Sequence, residues 1–134
     1  MSQETTYTIA ELSREFGITP RAIRFYEDEG LLAPARVGRN RVFGRRDRTH
    51  LRLILRGKRL GLSLAEIGEL IGMYNGVNNA QPQLRRFLLV LAERRAAIEQ
   101  QREDIVAVLG EIDGLEKQCL DLLALNPAED AGTP

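Results

Sequence analysis

Apolar residues recur at helical spacing in short runs through the first half of the chain, then at strict seven-residue spacing through most of the rest. Ile9, Leu12 and Phe16 share one face of a helix that Thr8 opens and Gly17 closes. Thr8 and Glu11 form a capping box, in which the Thr8 hydroxyl accepts from the Glu11 amide and the Glu11 side chain reaches back. Thr19 can cap a second helix with Pro20 at its first position, where no amide proton is needed, and Gly30 stops it. Two short helices joined by a tight Gly-containing turn predict a helix-turn-helix. Between Ala33 and Gly44 the turn residues Pro34, Gly38 and Asn40 alternate with Val37, Val42 and Phe43, which predicts a small β-hairpin with Arg36, Arg39 and Arg41 at its tip. A third helix follows over roughly residues 45–60, with Leu51, Ile54 and Leu55 on one side and Arg45, Arg48, Arg52, Arg56 and Arg59 on another. Ser63 and Glu66 make a second capping box, opening a fourth helix with Ile67, Leu70 and Ile71 inward. Residues 7–74 therefore read as one mainly helical domain and the polar residues 75–83 as a linker.

From residue 84 to about 125 there is no proline, and a heptad repeat runs unbroken. Leu84, Leu91, Ile98, Ile105, Ile112 and Cys119 occupy one heptad position, and Phe87, Arg94, Gln101, Val108, Leu115 and Leu122 lie three residues later. Ten of these twelve positions are apolar, counting Cys119, which marks a coiled coil. Some forty residues at 1.5 Å rise make a rod of roughly 60 Å, too long to bury its stripe on a small helical domain. The rod needs a partner rod, and homodimerisation is the economical answer. Gly110 and Gly114 weaken the helix locally by about 1 kcal/mol each relative to Ala. Asn126 and Pro127 end it, and residues 126–134 read as a disordered tail.

Charge changes this picture more than composition does. The 134 residues are 43% hydrophobic and 28% charged, ordinary values that exclude collagen-like and wholly disordered chains. Net charge is zero, yet residues 1–60 carry 13 Lys and Arg against 7 acids, and residues 61–134 carry 6 against 12. Within residues 36–59 ten basic residues face one acid, Asp47. A basic half of this density predicts a polyanionic partner. No charge-free stretch is long enough to span a bilayer, and the N-terminal residues lack the features of a signal peptide, so a cytoplasmic protein is expected.

The second helix carries the sharpest chemistry. Arg21, Arg24 and Asp28 fall on one of its faces, and Ala22, Ile23 and Tyr26 can partly turn inward with the Tyr26 hydroxyl reaching out. Arginine grips guanine O6 and N7 with two bonds, which suits a recognition helix; a solvated face pairing with Glu27 and Asp28 is the alternative. The hairpin arginines suit phosphate contact, since each phosphate neutralised releases counterions, although edge strands also carry cations to discourage pairing. Part of the third-helix stripe is expected to support the fold by pairing with acids. His50 has no acid or nucleophile beside it and reads as a packing or surface residue. Cys119, the sole cysteine, reads as a small buried hydrophobe. Tyr74 and Phe87 flank the linker and, with Cys119, are the candidate effector-binding residues, with plain packing as the alternative. Neither a phosphate-binding glycine loop nor a cysteine pair, a histidine metal motif or a serine elbow is present; no enzymatic activity, metal or cofactor is expected.

Thr8-Ile9-Ala10-Glu11-Leu12, then Gly17-Ile18-Thr19-Pro20-Arg21-Ala22-Ile23-Arg24-Phe25-Tyr26-Glu27, then Gly30-Leu31-Leu32, resembles the N-terminal region of MerR-family transcription regulators. Asn40-Arg41-Val42-Phe43 with Arg46-Asp47, and Gly61-Leu62-Ser63-Leu64-Ala65-Glu66-Ile67, continue the pattern. Leu55-Arg56-Gly57-Lys58-Arg59 and Gln101-Arg102-Glu103-Asp104-Ile105 look like the subgroup that controls leucine and isovalerate (branched-chain) catabolism. The resemblance implies a winged helix-turn-helix followed by a long antiparallel coiled-coil dimerisation helix. It implies Arg21 and Arg24 in the major groove and Thr19 and Tyr26 on phosphates. Arg41 and Phe43 would lie in the wing, and Thr8 would offer the first-helix N-terminus to a phosphate; with Arg36, Arg39 and Asn40 of the hairpin these are the expected DNA-binding residues. It further implies double-stranded promoter DNA with an overlong spacer, distorted so that RNA polymerase engages both promoter elements, under a small-metabolite effector.

Three departures qualify the likeness. Phe43 stands where many members have tyrosine, Gly44 replaces the usual Ser or Thr cap of the third helix, and the thiols of the metal- and redox-sensing members are missing. A ligand-independent repressor, or a DNA-architectural or coiled-coil interaction protein without sequence preference, remains the alternative reading.

Overall fold

The computed structural model describes residues 5–77 and 79–126. By its contacts the chain divides into two units, Met1–Leu91 and Ala92–Pro134.

In the first unit the elements run α1 (Ile9–Phe16), α2 (Pro20–Asp28), β1 (Ala35–Val37), β2 (Asn40–Val42), α3 (Arg45–Leu60) and α4 (Leu64–Tyr74), and α5 (Gln81–Leu125) begins there. Local chemistry sets most of the boundaries. Both capping boxes close: the Glu11 amide donates to Thr8 Oγ1 at 3.1 Å and the Thr8 amide to Glu11 Oε1 at 2.8 Å, with Ser63 and Glu66 repeating the exchange at 3.1 and 2.8 Å. Gly44 has no side chain with which to cap α3, and Asp47 in the first turn makes only the reciprocal half of a capping box. Its Oδ2 accepts from the Gly44 amide at 3.1 Å and its Oδ1 from the Ala33 amide at 2.9 Å, tying the approach to the hairpin onto α3. Those two bonds explain why a carboxylate can be buried there.

β1 and β2 pair antiparallel, with Ala35 opposite Val42, Arg36 opposite Arg41 and Val37 opposite Asn40. Gly38, at φ 64°, and Arg39 make the two-residue loop. Positive φ at its first residue alone is the pattern of a II′ turn, which matches the twist of the flanking strands. Tyr7 adds a bridge beyond the hairpin: its amide donates to the Phe43 carbonyl at 2.8 Å and the Phe43 amide to the Tyr7 carbonyl at 2.9 Å. The fully buried side chains are Leu12 from α1, Ile23 from α2, Phe43 from the hairpin's end, Leu51 and Ile54 from α3 and Ile67 from α4. One core thus holds every element of the helix-turn-helix and its wing in place. α3 and α4 approach closely because position 57 is glycine, where a Cβ would sit 2.6 Å from Ile67 Cγ1.

Two expectations need correcting. The linker is shorter than residues 75–83, because α5 already starts at Gln81; Pro82 is tolerated in its first turn, where a missing amide proton leaves no bond unmade. Phe87, assigned above to the dimer seam, is only 4% exposed and joins the core of its own unit, with Val90 packed beside it.

The second unit is the remainder of α5. Every residue from 92 to 126 is exposed except Arg94, which is half-buried. Gly110 and Gly114 do not interrupt the helix. Its C-terminus is closed by Asn126, whose amide donates to the Leu123 carbonyl at 3.2 Å and whose Nδ2 donates to the Leu122 carbonyl at 3.1 Å. The predicted disordered tail from residue 127 onward lies outside the described residues.

Candidate nucleic-acid interface

The face of α2 turned away from the core is built by its cap and its period. Thr19 Oγ1 accepts from the Ala22 amide at 3.1 Å and Pro20 starts the helix, so the turn before Arg21 is rigid. Ile23 and Tyr26 point into the core, and helical geometry therefore turns Arg21, Arg24, Phe25 and Asp28 outward, where all four are exposed. Neither Arg21 nor Arg24 takes part in a salt bridge described for the chain. They are long donors on the first turns of a helix, free to reach base edges or phosphates.

Tyr26 behaves differently from the expectation of a phosphate ligand. It is 3% exposed, lies edge-on to Phe25 with ring centroids 5.8 Å apart, and takes the Lys58 ammonium over its face at 5.7 Å. Phe43 is fully buried, so its ring serves the core and cannot touch DNA.

The hairpin arginines do not act alike. Arg39 in the loop and Asn40 beside it are exposed. Arg36 and Arg41, directly opposite each other across the strands, both turn onto Glu27 of α2: Arg41 Nε donates to Oε1 at 2.6 Å and Arg36 Nη2 to Oε2 at 3.1 Å. Burial tends to raise the Glu27 carboxyl, but the hydrogen bonds and charges of Arg41 and Arg36 outweigh it and hold the group below the ordinary range.

On α3, Arg48 is a structural residue. Its Nε lies 2.9 Å from both Glu15 oxygens and its Nη2 also pairs with Glu15, while its guanidinium covers the Tyr7 ring at 5.6 Å. Hydrogen bonding from Arg48 lowers the Glu15 carboxyl, and the same bond raises the Arg48 guanidinium. Arg45, Arg52, Arg56 and Arg59 stay exposed. Thr8, at the α1 N-terminus, is exposed with its hydroxyl already accepting from Glu11. His50 is buried, its Nε2 3.0 Å from Asn75 Nδ2.

Exposed Arg21, Arg24, Arg39 and Asn40 and the Thr8 and Thr19 caps all belong to the first unit, on α1, α2 and the hairpin. Of the effector candidates, Tyr74 is 62% exposed, Phe87 is core, and Cys119 is exposed in the single chain, as its neighbours on the heptad face are. Among the described residues no group of three or more His, Cys, Asp or Glu could hold a metal ion. No helix among them is long and apolar enough to cross a membrane. Sequence reasoning missed Glu27 as the acceptor of the hairpin, offering it only to its own helix, and missed Asp47 as the acceptor that ties Ala33 and Gly44 to the first turn of α3. The signal for Asp47 was available: it is the one acid among ten bases, three residues after a glycine where a cap belongs.

A capped two-helix unit with arginines on the outer face of its second helix, followed by a basic hairpin, defines a winged helix-turn-helix DNA-binding protein. Residues 7–73 match the family described as MerR HTH family regulatory protein, and residues 48–115 match the one described as MerR, DNA binding. The chain belongs to the MerR family and is a DNA-binding transcription regulator. It is 29% identical over 113 residues to the HTH-type transcriptional regulator CueR of Escherichia coli O6:H1, covering 83% of this chain and 82% of that one. A MerR-family regulator from Bacillus cereus superposes with a TM-score of 0.65 at 27% identity, covering 85% and 82% of the two chains. HiNmlR, a MerR family regulator lacking the sensor domain and bound to promoter DNA, shares the fold at a TM-score of 0.64 and 23% identity, over 97% and 98%. These relatives are regulators and not enzymes.

Proposed function

We propose that the chain works in the cytoplasm as an antiparallel homodimer that binds a pseudo-palindromic promoter site and distorts its overlong spacer, letting RNA polymerase engage both promoter elements under the control of a small metabolite. One observation carries this reading: the chain that displays Arg21 and Arg24 on a rigid helix also bears an uncovered heptad face. Ile98, Ile105, Val108, Ile112, Leu115 and Leu122 are all at least 42% exposed. A stripe of that length has to be covered, and a second copy supplies an identical one.

Charge supports the antiparallel direction. Residues 84–102 hold five arginines against two glutamates, and residues 103–125 hold six acids against one lysine. Antiparallel pairing sets the basic stretch of each helix beside the acidic stretch of the other, whereas parallel pairing sets like beside like. Two copies then offer two recognition helices at a fixed separation, as a two-fold symmetric site requires. Arg21 and Arg24 read bases; Thr8, Thr19, Arg39 and Asn40 contact the backbone.

A groove of about 530 Å3 in the first unit, lined by Leu31, Ile71, Arg46, His50 and Asn75 among others, is the candidate place for the effector. Membership of the branched-chain catabolic subgroup rests on the 55–59 and 101–105 motifs.

Arg24→Ala tests the reading. A duplex selected by the wild-type chain from a random library should lose about 1–3 kcal/mol of binding, with the melting temperature unchanged. Equal affinity of wild type for selected and scrambled duplexes would instead establish binding without sequence preference.

A further inference from the structure

We infer that Glu27 is a positioning residue of the DNA interface, setting the offset between the recognition helix and the wing. The inference rests on the reading of α2 and the hairpin as the DNA-binding surface, and it assigns a role to an acid that cannot itself bind phosphate.

Arg36 and Arg41 are a directly opposed cross-strand pair, so their side chains leave the same face of the hairpin. Two like charges so placed repel and work against a hairpin of three residues a side. Glu27 lies between them and takes one bond from each, at 3.1 and 2.6 Å. The carboxylate is 18% exposed and the Arg41 side chain 22%, so this part of the cluster is shielded from solvent more than a surface ion pair is. Glu27 follows Arg24 by three residues and Ile23 by four on α2, and Ile23 is fully buried. Phe43 and the Asp47–Ala33 bond fix the base of the hairpin, and Glu27 is the point at which one side chain of each strand is tied to α2 itself. Arg39 and Asn40, carried at the far end of those strands, take their offset from Arg21 and Arg24 in part from it.

The same geometry has an electrostatic consequence. Arg36 and Arg41 are held on a protein carboxylate and their charge is partly neutralised within the fold. Freed from Glu27, both guanidinium groups become available to any phosphate, whatever the sequence. Loss of Glu27 therefore acts in opposite directions on two measurable quantities: it weakens binding to the site that fits the fixed offset and strengthens binding to arbitrary DNA. A purely structural acid would lower both together.

The test compares wild type, Glu27→Gln and Glu27→Asp on a duplex selected from a random library by the wild-type chain and on its scrambled counterpart, across a salt series, with melting temperatures in parallel. Glu27→Gln should reduce the preference for the selected duplex at least tenfold, bind the scrambled duplex more tightly, and steepen the salt dependence on it by about one to two phosphate contacts. Glu27→Asp keeps the charge and shortens the arm, so it should leave scrambled binding at the wild-type level while losing part of the preference; it carries the test if Glu27→Gln does not fold. Unchanged preference in both variants overturns the inference, and so does an equal loss on both duplexes accompanied by a fall in melting temperature. A wild type that selects no sequence overturns the sequence-specific reading, and this inference with it.

Discussion

Leu84 and Phe87 occupy the same two heptad positions of α5 as Ile105 and Val108, yet they meet opposite fates. Phe87 is core, with Leu84 half-buried, whereas Ile105 is 60% exposed and Val108 53%. The repeat reports that a face of the helix needs cover. It does not report what covers it: near its start the helix has α4 to lean on, as Phe87 and Met73 lining one small cavity show, and beyond residue 91 its described residues are exposed, Arg94 excepted. The first unit has each of its helices represented in one core, and Asp47, buried in it, is satisfied by two backbone amides. The second carries an apolar heptad face that the single chain leaves exposed.

Truncating the two faces should separate these roles. Phe87→Ala is expected to cost the first unit about 3–5 kcal/mol, seen as a lower denaturation midpoint at protein concentrations where the chain is monomeric. If Phe87 instead served the dimer seam, only the association constant would move. Ile105→Asp places two charges in the proposed seam and should weaken association on the order of 100-fold, read by sedimentation, while leaving the first unit's melting unchanged. A persistent dimer would show that another face holds the two copies together.

The glycines sharpen the same contrast with a single kind of substitution. Gly57→Ala drives a methyl into Ile67 at the α3–α4 contact, and the overpacking outweighs the gain in helix propensity, for a net loss of about 1–2 kcal/mol. Gly110→Ala meets nothing within 4 Å and should stabilise α5 by up to about 1 kcal/mol, measurable as greater helicity on warming. Loss of stability at both positions would mean that the exposed helix is packed in a way the single chain does not show.

What could be read from the chain alone was whatever is decided within a few residues or by a strict period. The Thr8–Glu11 and Ser63–Glu66 boxes, the Pro20 start, the hairpin turning at Gly38 and the inward faces of α3 and α4 depend on neighbours three or four positions away, and all are present in the fold. So are the outward directions of Arg21 and Arg24, since a helix whose Ile23 is buried must turn them out.

Roles set by long-range neighbours could not be read in that way. Tyr26 and Phe43 carry no mark that distinguishes a ring stacked in the core from one presented to DNA; that depends on Leu12, Leu51 and Ile54 arriving from elsewhere. Whether a hairpin arginine is offered to phosphate or held by Glu27 depends on α2 lying fourteen residues back from Arg41. Local bonds and helical period are written into adjacent residues because the backbone has few ways to satisfy its amides. Partnership across the chain is selected only when the elements pack, because only then does one side chain exclude water from another.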